Sequence, residues 1–439
     1  MSDSILTTRL PRELINNIVE GLDTRTIASL SCTSSGVREV VKPLLFRQLT
    51  IHTDHATHHL NHFIAFLKAN PISTSDMALH VKTLTLLCNS PMPRSDVMRE
   101  SITALDLDFV LSRLPSVQTL HLRLIPLRCC TSTPPSGWSN PRSLNELSIT
   151  YVEFQPSRLR SPQDTFLELL GLFGSVKIMK LNAARIWDYD PGVTDSHPEP
   201  STQVLRRRTS LNVERLFHVG EIRYSYLPTS TTTAPPPIVT SLMESPHCLS
   251  RMRTLDIDED IAITNTLLRA IGHQLSHLHL RINSERAPFS EDTSPFDLDN
   301  CKNISSLNIS VRLLSGDEPD VKANITRVIK TLEQSPESVT KIVVKCVFNH
   351  YRPSDAISPQ EMGWKDVDEI LGRHAQFESF VLIIRDTFRM NDGLVESIRE
   401  RVLSRLAKRG ILKVVRSYPT EQDDEEEWDY YDDHADMDL

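Results

Sequence analysis

Five histidines crowd one stretch of eleven residues, "HTDHATHHLNH": His52, His55, His58, His59 and His62. On a helix, His55, His59 and His62 share a face and His58 joins His62, and imidazoles at that spacing can hold zinc. No cysteine and no H-E-x-x-H accompanies them. The stretch also runs into a helix that needs only a polar side, so a solvated segment is the expected reading and no metal is expected. Neither the phosphate-cradling G-x-x-x-x-G-K-[ST] nor G-x-G-x-x-G is present, and G-x-S-x-G is absent too. Glycine is scarce, at 13 residues, and no cofactor is expected. Serine, histidine and aspartate are too common for a nucleophilic relay to be assigned without a fold. Catalysis within the chain is therefore not expected. Arg206–Arg208 form a short basic cluster, read as a surface face. Asn303, Asn308 and Asn324 match the glycosylation pattern by chance.

The totals narrow the classes further. The 439 residues are 24% charged and 39% hydrophobic, a soluble globular composition. The seven cysteines include no C-x-x-C; only Cys129 and Cys130 are close in sequence. With no apolar leader and no membrane-length apolar run, a reduced chain of cytoplasm or nucleus is expected. The net charge of −9 is concentrated at one end, since Glu421–Leu439 hold eleven acidic residues and no Lys or Arg. Without them 48 basic residues face 46 acidic ones, a net of +2. So balanced a body has no basic field for nucleic acid, and neither nucleic acid nor membrane is expected as a partner. Self-repulsion should leave the acidic tail disordered and solubilising, with Trp428, Tyr430 and Tyr431 as handles for a partner.

A repeated hexad organises most of the chain: apolar-x-x-apolar-x-apolar. It reads "VKTLTL" from Val81, "VQTLHL" from Val117, "LNELSI" from Leu144 and "VKIMKL" from Val176. It returns as "MRTLDI" from Met252, "LSHLHL" from Leu275, "ISSLNI" from Ile304, "VTKIVV" from Val339 and "FESFVL" from Phe377. "VERLFH" from Val213 nearly fits but sets His218 in the last apolar slot, and "ILKVV" at Ile411 suits a final short strand. Alternation buries one side of each strand. Amphipathic stretches such as "QDTFLELLGLF", "ITNTLLRAIGHQL", "VKANITRVIKTLEQ" and "GLVESIRERVLSRLAKRG" lie between them. Strand alternating with helix implies parallel strands joined by crossovers.

The predicted fold class is α/β: three N-terminal helices, then an irregular leucine-rich-repeat-like solenoid of parallel strands and helices, with an open α/β sheet as the alternative. Strand starts lie roughly 23–39 residues apart, often longer than the usual leucine-rich period of about 20–29. Three proline-bearing insertions, "CCTSTPPSGWSNPR", "WDYDPGVTDSHPEPSTQ" and "YLPTSTTTAPPPIV", read as loops or disordered excursions. Outward strand positions would line a concave face and meet a protein substrate. These are Thr119, His121 and Arg123; Thr254, Asp256 and Asp258; His277, His279 and Arg281.

At the start of the chain, Pro11 suits a first helical position, and Leu14, Ile18 and Leu22 form a stripe that Ile15 and Val19 widen. Thr24 is expected to cap a second helix carrying Ile27, Ala28 and Leu30. A third carries Val37, Val40 and Val41, with Pro43 near its end, and "LLFRQLTI" passes into a strand. Some forty residues of this kind bury too little surface to stand alone.

Leu10-Pro11-x-Glu13-Leu14-x-x-x-Ile18, then Leu22, Ile27, Leu30, Val37 and "LLFRQLTI", together resemble an F-box. "HFIAFLKANPISTSDMALHVKTLTL", residues 62–86, resembles the segment that follows the F-box in fungal F-box proteins; one departure is that no tryptophan stands in residues 1–51. The resemblance implies a non-catalytic substrate receptor of an SCF-type ubiquitin ligase. Leu10, Pro11, Leu14, Ile18, Leu22, Ile27 and Leu30 would meet a Skp-type adaptor, and through it a cullin-RING ligase. The repeats would hold an unidentified protein substrate. The implied division is F-box over 5–51, a linking helical segment over 52–80, repeats over 81–416 and the acidic tail over 417–439. A repeat scaffold that assembles no ligase is the alternative function.

Overall fold

A computed structural model describes residues 19, 22–33, 35–52, 59–70, 77–88, 102–129, 141–155, 162–186, 211–219, 238–243, 246–283, 295–314, 318–349, 364–374, 376–386 and 392–417. The chain divides into two compact units: Met1–Glu221 with Leu227–Arg251, and Met252–Leu439 with Ile222–Tyr226.

The first unit opens on the helices Thr24–Ser31 and Ser35–Leu45. Asp23, not Thr24, caps the first of them: its carboxylate accepts from the Thr26 N–H at 2.9 Å and from the Thr26 hydroxyl at 2.6 Å. Those two donors hold the Asp23 carboxyl below the ordinary aspartate range. The parallel ladder that follows runs β1 (Gln48–His52), β2 (Thr83–Leu87), β4 (Thr119–Arg123), β6 (Arg142–Thr150), β8 (Phe173–Asn182) and β10 (Asn212–Val219). Its alternation is the expected one: Leu84, Leu86, Leu120, Leu122, Leu147 and Ile149 are buried while the residues between them are half-buried or exposed. The near-fit hexad from Val213 forms β10, and His218 occupies its apolar slot, 1% exposed.

Each of three strands ends in the same corner. Leu124, Tyr151 and Ala183 follow β4, β6 and β8 directly and have φ of 58°, 50° and 46°. Their N–H groups donate to the next strand, to the carbonyls of Thr150, Asn182 and Val219 at 2.8–2.9 Å. The turned chain then enters a second parallel sheet, β3 (Ile102–Thr103), β5 (Pro126–Arg128), β7 (Glu153–Gln155) and β9 (Arg185–Ile186). Ile125, Leu127, Val152 and Phe154 on the far side of the corners are buried, so the core continues past the bend. Helices Ala104–Arg113 and Pro162–Gly171 supply its other wall through Leu107, Val110, Phe166, Leu169 and Leu170.

The second unit repeats the theme: β11 (Thr254–Asp258), β12 (His277–Asn283), β13 (Ser306–Leu314), β14 (Lys341–Asn349), β15 (Ser379–Asp386) and β16 (Leu412–Ser417), all parallel. Helices Ile261–Ile271, Glu318–Glu333 and Trp364–Arg373 are the crossovers. The expected single helix over 393–410 is instead Asp392–Ser397, a π-type turn Ile398–Val402 and Ser404–Lys408. The extra residue lets Ile398, Val402, Leu403 and Leu406 all be buried. The restarted helix finds partners for two of its N–H groups in Asp368, which accepts from Arg405 and Leu406 at 3.0 and 2.9 Å.

The insertions fall mostly outside the described residues, with differences from expectation at their edges. Cys129 is buried, Arg142 opens β6, and Ile238 and Val239 are buried in a helix, Ile238–Met243, that composition alone does not announce.

Candidate functional site

The residues singled out from the sequence fall in three places. The first is the N-terminal helical cluster. Leu10, Pro11, Leu14 and Ile18 lie outside the described residues. Val19, Ile27, Val37 and Val41 form a buried cluster, with Leu22, Leu30, Leu44 and Leu45 packed partly buried around it. Ile27 is 8% exposed and therefore serves the helices' own core. Leu22 and Leu30 are half-buried at its edge, where an apolar side chain can hold the helices and still touch a partner.

The second place is the face of the second unit's ladder that looks away from its helices. Asp256 on β11, His279 and Arg281 on β12 and Ser310 on β13 meet there. Arg281 clamps Asp256 with two parallel bonds, Nε to Oδ1 and Nη2 to Oδ2, each 2.8 Å. His279 Nδ1 lies 2.9 Å from Asp256 Oδ2, and its Nε2 lies 2.7 Å from Ser310 Oγ. Parallel register makes this possible, because Asp256, His279 and Asn308 are Cα partners, and Ser310 lies directly opposite Arg281. Burial alone would raise the Asp256 carboxyl; the bonds from Arg281 and His279 outweigh it and hold the group well below the carboxylate range.

Aspartate, histidine and serine stand here in relay order. Asp256 is already neutralised by Arg281, however, so less of its charge is left to stabilise an imidazolium, and Ser310 is 5% exposed. The arrangement is that of a rigid, satisfied polar cluster. The expectation that Asp256 and Asp258 present charge outward is not met: they are 6% and 1% exposed. His277 is exposed, with its Nδ1 2.9 Å from Ser276 Oγ. Ser310 escaped the sequence reading, although the same alternation places it one strand further along the face.

On the first unit, the corresponding face carries His121 and Arg123, the latter exposed. Burial lowers the His121 pKa, against the pull of Glu146 and with the help of Lys180. Glu146 and Lys180 form their own ion pair at 3.0 Å, a contact two strands wide that the hexads did not reveal. A shallow cleft of about 390 Å³ opens at the start of β4, β6, β8 and β10. Among its polar side chains, Ser175 Oγ donates to Ser143 at 2.8 Å and Asn145 Nδ2 to Gln118 at 3.3 Å.

Of the histidine run, His55 and His58 lie outside the described residues, His59 opens the helix His59–Ala69, and His62 is exposed. Among the described residues no group of three His, Cys, Asp or Glu is placed to hold a metal ion, and no helix is long and apolar enough to cross a membrane. Cys32 is exposed, whereas Cys88, Cys129, Cys248, Cys301 and Cys346 are buried. Burial pushes Cys301 and Cys346 up to about 12, with Asp297 and Asp299 adding to the shift at Cys301, so both stay protonated and weakly nucleophilic.

Residues 8–49 match the F-box domain, so this stretch of the chain is an F-box. The match covers Leu10, Pro11, Leu14, Ile18, Leu22, Ile27 and Leu30 together. Comparison with curated proteins returns no match. An F-box points to a substrate-adaptor role of the SCF type and to a Skp-type adaptor as partner.

Proposed function

We propose that this protein is the substrate-recognition subunit of an SCF-type ubiquitin ligase, with no chemistry of its own. The observation that carries the reading is the F-box over residues 8–49, joined to two ladders of parallel strands. The F-box grips the adaptor through Leu10, Pro11, Leu14 and Ile18, with Leu22 and Leu30 at the rim; Ile27 contributes by holding the helices in place. A strand face holds the target. Catalysis is then a matter of proximity: the receptor raises the target's local concentration beside the ubiquitin-charged enzyme and orients a lysine toward it. The pool of the receptor is expected in cytoplasm, nucleus or both.

The experiment is co-purification of the adaptor and cullin with the full chain and with Leu10→Asp/Leu14→Asp. Recruitment by the wild type and its loss in the double variant support the reading. A wild-type chain that recruits no adaptor leaves only a repeat scaffold, and undiminished recruitment by the double variant removes the stripe from the interface.

A further inference from the structure

The open face of β14–β16 has a composition of its own. Ile342, Val344 and Cys346 on β14, with Phe380, Leu382 and Ile384 on β15, are buried on the helix side. The alternate positions look the other way. Val343, Val381, Ile383 and Val415 form a half-buried aliphatic strip across the three strands, in register through Val343↔Val381 and Ile383↔Val415. Lys341 and Lys413 stand exposed at its margins, and half-buried Lys345 lies within it. At these alternate positions the three strands carry no Asp or Glu. Asp386, the last residue of β15, falls on the other alternation, with Phe348 as its register partner, and Glu337 and Glu378 precede β14 and β15.

The chain itself supplies the complement. Directly after β16 come 22 residues, 418–439, with eleven carboxylates, no Lys or Arg, and Trp428, Tyr430 and Tyr431 among them. A segment of that length spans ~70 Å when extended at ~3.3 Å per residue, while three strands ~4.8 Å apart present a face only ~10 Å across. Reach is therefore no obstacle, and tethering gives the segment an effective concentration on the order of millimolar.

We propose that the acidic tail docks in cis on the basic, aliphatic face of β14–β16, its carboxylates toward Lys341 and Lys413 and its aromatic side chains on the valine–isoleucine strip. Docked there, it occupies the face against other acidic, aromatic-bearing peptides. That this face is the one for targets rests on the receptor reading above; the docking itself does not.

A fluorescein-labelled peptide of residues 418–439 tests it by titration against three full-length chains: wild type, a variant with the eleven tail carboxylates changed to amides, and that variant with Lys341→Glu/Lys413→Glu. The amide variant is expected to bind the peptide, more weakly as salt rises. The wild type should bind at least tenfold more weakly because its own tail competes. The lysine reversal should also weaken binding at least tenfold, with Lys341→Gln/Lys413→Gln intermediate. Circular dichroism of the reversed chain checks that it folds, as expected for two exposed side chains. Absence of binding to the amide variant overturns the proposal, as does equal binding to wild type and amide variant, or binding indifferent to the lysines. Dimers that form only with the acidic tail place it on a second copy and overturn docking in cis. None of these results depends on adaptor recruitment, so failure here and failure of the receptor reading are separable.

Discussion

Asp256 is the residue on which the second unit's open face turns. Its side chain is 8% exposed and Arg281's 11%, so the pair sits where an unpaired charge is costly. Arg281→Ala leaves a buried carboxylate without its main partner and is expected to lower stability by about 3–5 kcal/mol in denaturant unfolding. The acid response follows from the sign of the shift. A carboxyl whose folded pKa is depressed adds stability above its unfolded value, about 3.9, and loses it as pH falls through the folded value. Unfolding midpoints should therefore decline as pH drops below about 4, and Asp256→Asn should flatten that decline while starting from a lower midpoint at neutral pH. An unchanged pH profile in the asparagine variant would show that Asp256 is not the group concerned. The sequence shows the opposite charges on neighbouring hexads and the shared side of each strand. It does not show that Asp256 and His279 are register partners, because register depends on how each crossover stacks. Hence the acidic and basic residues looked like separate offerings to a partner when they are largely offerings to each other.

At the scale of elements, the hexad located the strands of both ladders, from "VKTLTL" to "ILKVV", since burial on one side leaves a period of two in the residue types. The corners after β4, β6 and β8 leave no such trace. Leucine, tyrosine and alanine stand where glycine or asparagine would ordinarily announce a left-handed residue, so the second sheet behind them was invisible. That gives a contrast to measure. At Ala183, glycine relieves about 1 kcal/mol of backbone strain and gives up about 0.8 kcal/mol of methyl burial. Ala183→Gly is thus expected to be neutral within about 0.5 kcal/mol, while Ala270→Gly, exposed within Ile261–Ile271, costs about 1 kcal/mol. Equal losses at the two sites in thermal or denaturant unfolding would contradict the corner assignment. The break between Ser397 and Ser404 was equally illegible: "GLVESIRERVLSRLAKRG" has a continuous helical pattern, and only the partner helix carrying Asp368 shows where the restarted turn finds its acceptors. Asp368→Ala should cost about 1.5–3 kcal/mol for two bonds to a charged acceptor, read from the same unfolding curves.

For the whole molecule, an F-box precedes two ladders of parallel strands, and the proposed receptor role leaves the chemistry to bound partners. The F-box was legible because its apolar residues come in a fixed order over a short stretch, and the family match over residues 8–49 agrees with it. The assignment of single residues within it was less so. Ile27 and Leu30 share a stripe in the sequence, yet Ile27 is in the helices' own core and Leu30 is at its edge, a distinction that depends on which neighbours close over each. The central claim is that Leu10 and the stripe Leu14, Ile18 and Leu22 face an adaptor, and calorimetric titration of a purified Skp-type adaptor into the full chain tests it most directly. The account predicts saturable one-to-one binding that Leu10→Asp/Leu14→Asp weakens by about a hundredfold or more, as two buried apolar anchors turned to charges would do. Absence of saturable binding by the wild-type chain, or equal affinity in the double variant, would contradict it.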